Sequence, residues 1–142
     1  MWEVYFMTKR KCNILLACTA LALGGFLYIC FRSGTYIAVL VDSIIPIGHL
    51  QTAMLPLACP LLSYYIPDFL WAFSLCCMLI AVNTNNLQSV LLCAGFTLFF
   101  GIMWELLQHL HILSGTGDIW DVFIYLLAAV LSAIINLGGN KP

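Results

Sequence analysis

Four stretches of this chain are apolar for long enough, and free enough of charge, to cross a bilayer. Residues 14–31 (ILLACTALALGGFLYICF) carry no charged side chain, the lower end of the length that crosses about 30 Å of hydrocarbon. Residues 66–82 form a second span; its apolar run 69–82 is short, and 61–66 with Asp68 extends it upstream. Residues 87–107 make a third, whose helical pattern continues toward Leu113, and 119–137 a fourth, with Asp121 one turn inside its start. Residues 35–63 are apolar too, yet Asp42, His49 and Gln51 interrupt them and Pro46, Pro56 and Pro60 divide them. Prolines at that density break a helix interior, and irregular backbone at membrane depth is tolerated only against protein or a wet cavity. The expectation is an all-α polytopic membrane helix bundle, a single membrane domain over residues 1–142. It has four transmembrane helices plus an interfacial or re-entrant segment at about 35–63, a fifth full span being the alternative.

Composition narrows the class. Of 142 residues, 63% are hydrophobic and 8% charged, where a soluble domain carries about 25% charge. So few charges cannot cover a soluble surface without large apolar patches. The net charge of −1 gives no footprint for a polyanion, so no nucleic-acid partner is expected. The basic residues set an orientation. Lys9, Arg10 and Lys11 precede the first span, which by the positive-inside bias keeps the N-terminus cytoplasmic. Four spans return the C-terminus, with Lys141, to the same side and leave Arg32 outside. The first span follows its basic cluster too closely, relative to the LLAC box at 15–18, for a usual signal peptide, and is expected to stay as an anchor.

The seven cysteines show no C-x-x-C pair or zinc-ligand spacing, and are expected to pack as small apolar side chains. Trp2, Tyr5, Trp71, Trp104 and Trp120 fall near span ends and read as interfacial belt residues. His49 and His111 are lone histidines for which a structural role is expected. No nucleophile elbow, H-E-x-x-H or P-loop is present.

The acidic residues carry the chemistry. Asp68, Glu105, Asp118 and Asp121 lie at or within span ends, where a charge at mid-bilayer costs about 2.5–3.5 kcal/mol and requires a partner, water or protonation. On the third helix Ala94, Thr97, Gly101, Glu105 and Gln108 fall on one face at the 3.6-residue period. On the fourth, Asp118, Asp121, Tyr125, Ala128 and Ser132 do the same. The second offers a weaker version through Asp68, Ala72 and Cys76. Small residues let membrane helices approach and polar ones bond across the contact. The two stripes are therefore expected to face each other and to end in an outward-opening polar pocket. Its candidate ligand-binding residues are Glu105, Gln108, His109, Asp118, Asp121 and Asp68.

Three roles fit that cluster. Capping and packing is one, with Asp118 as N-cap and Asp121 in the first turn of the fourth helix. Binding or modifying an external polar ligand is another. A divalent-cation site on Glu105, His109, Asp118 and Asp121 is the third; otherwise no cofactor is expected. A non-enzymatic structural or accessory membrane subunit, whose polar stripes only lock helices together, is the alternative class, with Ala129/Ala133 and Ala20/Gly24 packing within one bundle or between copies of a homo-oligomer. A transporter or channel ranks last, because no inverted repeat is visible.

The stretch 104–136 (WELLQHLHILSGTGDIWDVFIYLLAAVLSAIIN) resembles the VanZ-like membrane family. That family shows E-x-x-Q near the end of one span, a short loop, and D-x-x-D opening the last. Glu105, Gln108, Asp118 and Asp121 occupy those positions. Tyr125 stands where the family usually has Asn, Ala128 and Ser132 where Gly is common, and the Arg that often precedes the first Asp is missing. The resemblance implies a small multi-span protein of the bacterial inner membrane, linked to resistance against teicoplanin-type glycopeptides. An envelope-associated lipid or glycan is the implied ligand, with the bilayer itself as partner.

Overall fold

A computed structural model of the chain describes residues 2–32, 35–54, 57, 59, 61–83, 86–113 and 117–138, with side chains from Thr8 onward. Helix α1 (Trp2–Phe31) is followed by two short helices, α2 (Tyr36–Ile44) and α3 (Gly48–Met54). A π-helical turn (Leu61–Tyr65) leads into α4 (Ile66–Val82), followed by α5 (Leu87–His109) and α6 (Ile119–Leu137). Four segments are long and apolar enough to cross a membrane: Thr8–Phe31, Leu61–Val82, Leu87–His109 and Ile119–Leu137. The protein is a four-span helical membrane bundle.

Local chemistry sets the boundaries. Pro67 sits in the first turn of α4, where its missing N–H has no intrahelical duty. The π turn lets that span begin at Leu61, several residues before the apolar run suggests. Asn86 caps α5, its Oδ1 accepting from Ser89 N at 2.7 Å, and Asp118 caps α6, its Oδ1 accepting from Trp120 N at 3.0 Å. α5 stops at His109, short of Leu113, and the stop is a Schellman motif. Ile112 N donates to Leu107 O and His111 N to Gln108 O, both at 2.9 Å. His111 takes the left-handed position at φ 57°, where glycine is usual.

Residues 35–63 give no fifth span among those described. They fold as α2 and α3, joined by a turn in which Asp42 Oδ1 accepts from Ile47 N (2.8 Å) and Gly48 N (3.2 Å). Gln51 Nε2 donates to Ile29 O at 2.8 Å, tying α3 to the end of α1. The expected turns at 83–86 and 114–117 fall largely outside the described residues.

α4 is the hub, packing against α1, α5 and α6. One core joins Ala17 and Ala20 of α1, Ala72, Phe73 and Cys77 of α4, and Ala128 of α6. A second joins Cys76 and Ile80 of α4 to Val90 and Cys93 of α5 and Ala133 of α6. Cores this rich in small side chains fit a bilayer, where helices associate by close packing and hydrogen bonding. Gly24 shows the closeness, since a Cβ there would lie 3.1 Å from Leu70 Cβ. Ala20, Gly24, Ala129 and Ala133 are all buried inside the bundle. Large apolar side chains such as Leu92, Phe99 and Leu127 point outward, as a lipid-facing surface requires.

A polar clasp closes the end where α1 begins and α6 finishes. Asn13 Nδ2 donates to Asn136 Oδ1 at 2.7 Å, and Asn136 Nδ2 donates to Ser132 O at 2.8 Å. Lys9 Nζ adds a bond to Asn136 O at 3.3 Å. Both asparagines are buried.

Candidate functional site: a carboxylate cluster at one end of the bundle

Chain reversal places the end of α1, the start of α4, the end of α5 and the start of α6 together at the other end. The two stripes meet there. Thr97, Gly101 and Glu105 of α5 are buried, with Ala128 and Ser132 of α6. Gly101 lies flat against the Tyr125 ring; a Cβ at that position would come within 2.8 Å of Tyr125 Cγ. The absent side chain is what lets the aromatic ring pass across α5.

Glu105, 6% exposed, is the floor of the cluster. Tyr125 OH donates to its Oε1 at 2.9 Å, and Asp118 N donates to its Oε2 at 3.0 Å. One carboxylate thus ties two points of α6 to α5. The loop residue Gly117 makes this approach possible. A Cβ on it would meet Glu105 O at 2.6 Å and His109 N at 2.9 Å, so only glycine lets the loop lie on the last turn of α5.

Asp68, Asp118 and Asp121 are half-buried around that floor. Asp121 lies within electrostatic reach of Asp68, Glu105, Asp118 and Arg32, which places all four carboxylates in one neighbourhood. Asp121 Oδ1 is buried and accepts no hydrogen bond among the described residues. Gln108 is half-buried one turn further along α5. His109 is exposed, and among the described residues its side chain makes no hydrogen bond to the carboxylates. No group of three or more described His, Cys, Asp or Glu side chains is arranged to hold a metal ion. Glu105 is already engaged through both oxygens by Tyr125 and Asp118.

Two contributors escape a reading of the sequence. Arg32, which there serves only to mark topology, brings a cation to the cluster. Its Nη2 lies 3.5 Å from Asp68 Oδ2 and its Nε donates to Ser63 O at 3.2 Å. The guanidinium stands 5.0 Å from the ring centres of both Tyr28 and Tyr64, within the range of cation–π attraction. Tyr125 belongs to the stripe by spacing, but its hydroxyl finds its acceptor only through the crossing of α5 and α6. The signal for Arg32 is its position at the end of an otherwise uncharged span.

A largely apolar groove of about 610 Å³ lies elsewhere, against Leu79 and Asn83 at the end of α4 and Cys93, Phe96 and Phe99 of α5. It does not include the carboxylates. The cysteines are free, and Cys30, Cys76, Cys77 and Cys93 are buried as packing residues. No family model, curated protein or solved structure matches this chain.

Proposed function

We propose that this is a VanZ-like protein of the bacterial inner membrane, with both termini cytoplasmic, whose carboxylate cluster faces outward and binds or modifies an envelope-associated lipid or glycan. The observation that carries the reading is Asp121. Its Oδ1 is buried without a hydrogen-bond donor among the described residues, beside three further carboxylates and the Arg32 guanidinium. Buried acceptors are ordinarily satisfied, and a hydroxyl- or amine-bearing ligand supplies the missing donor. Glu105, Gln108, Asp118 and Asp121 are also the residues on which the family resemblance rests.

The test is a pair of variants, Asp121→Asn and Glu105→Gln, in a glycopeptide-sensitive host. Expression of the native chain is expected to raise tolerance to a teicoplanin-type glycopeptide, and each variant to lose that gain while still inserting. Equal tolerance in the native chain and both inserted variants overturns the reading.

A second reading has its own observation. Glu105 is satisfied on both oxygens by its own chain, and Asp118 is engaged as a cap, as in an accessory subunit whose polar groups only lock helices. For that reading, native mass measurement in detergent is expected to show this chain bound to other subunits. A lone monomer retaining a small ligand contradicts it.

A further inference from the structure

We propose that α2 lies in the plane of the bilayer surface, with lipid as the occupant of its apolar faces. At about 1.5 Å per residue its nine residues reach about 14 Å, less than half of the hydrocarbon thickness, so it does not span. It is also not packed as a soluble helix. Ala38 is its buried residue, while Tyr36, Ile37, Val39, Leu40 and Ile44 are exposed, Tyr36 by 83% and Ile44 by 74%. Ile45 continues the patch. A surface of this kind facing water is an association hazard.

The polar groups of the segment point to the same medium. Asp42, the one formally charged residue between Arg32 and Asp68, turns Oδ1 onto the Ile47 and Gly48 amides. Ser43 Oγ donates to Leu40 O at 2.6 Å, and Thr52 Oγ1 to Gly48 O at 3.0 Å. Polar side chains closed onto their own backbone, with large apolar ones left outside, are what a lipid boundary demands.

The attachment commits the occupant. Thr35 Oγ1 donates to Arg32 O at 3.1 Å and accepts from Ala38 N at 3.4 Å. Gln51 fastens α3 to Ile29 O. The segment is thereby held at the end of α1, where the lipid-facing surface of that span, exposed at Leu23 and Phe26, meets the bilayer edge. The exposed apolar side chains of α2 thus begin five residues after the end of a span whose own apolar side chains face lipid. This placement does not depend on what the carboxylate cluster binds.

Photocrosslinking in the full native chain tests it. Benzoylphenylalanine replaces Val39 or Ile44, one at a time, in protein reconstituted into phosphatidylethanolamine–phosphatidylglycerol vesicles. The same residue at Leu92, on the outer face of α5, provides the lipid-contact reference. Lipid-mass adducts at both α2 positions, within about threefold of the Leu92 yield, are expected. A crosslink to a second copy of the chain overturns the proposal, as does the absence of lipid adducts at both positions beside a positive Leu92 reaction.

Discussion

Tyr125 and Glu105 show how a single pair can decide the fit of two helices. Interhelical hydrogen bonds in membranes contribute about 0.6 kcal/mol on average, but an orphaned buried acceptor costs about 1–3 kcal/mol. The larger figure governs Tyr125→Phe, which leaves Glu105 Oε1 without its donor. Its thermal unfolding in detergent is expected to show a loss in that range. Glu105→Gln removes the charge that made the orphan expensive. The double variant is therefore expected to lose less than the sum of the two single losses, and strict additivity would show that the bond is not the unit of stabilisation. His111 offers the opposite case. A side chain at φ 57° carries a steric cost that glycine avoids, and the Schellman bonds are made by backbone alone. His111→Gly is expected to hold or raise stability by up to about 1 kcal/mol in the same measurement. It is the backbone at position 111, not the imidazole, that ends α5.

At the scale of elements, the α5–α6 contact depends on which glycine is which. Gly101 lies against the Tyr125 ring, while a Cβ at Gly95 would meet nothing within 4 Å. Gly101→Ala must displace the ring and with it the hydroxyl that Glu105 accepts, and a loss of about 1–3 kcal/mol is expected from overpacking. Gly95→Ala on the same helix is expected to be neutral or mildly stabilising, because alanine is the better helix former. Equal effects would mean that helix propensity, not the crossing, sets the response. Much of this contact is legible in the sequence, since the 3.6-residue period puts Thr97, Gly101 and Glu105 on one face without reference to any other helix. The π turn before α4 is not legible in this way, because Leu61–Tyr65 has no spacing that separates it from an ordinary helical start. The splitting of 35–63 into short pieces follows from its prolines, but the Asp42 turn that joins the pieces depends on a side chain folding back five and six residues along the chain.

At the scale of the whole molecule, four spans are readable because length and apolarity are local properties. The pairs that close the bundle are not local: Arg32 meets Asp68 and Asn13 meets Asn136 only after the helices have docked. Their polarity within apolar surroundings marks them as needing partners, but not which partners. The orientation proposed from the basic cluster has a direct check. With native cysteines replaced, Gly115→Cys is expected to react with a membrane-impermeant maleimide added from outside intact cells. Labelling only after the cytoplasmic side is opened would reverse the topology and put the carboxylates inside.

The bonds made by α6 also bear on how the bundle comes together during synthesis. This helix gives Glu105 its hydroxyl partner at one end and Asn13 its amide partner at the other. A chain in which α1, α4 and α5 have reached the membrane before α6 holds both polar side chains without those partners. Such an intermediate carries a polar flaw at each end of the bundle, and the arrival of α6 repairs both together.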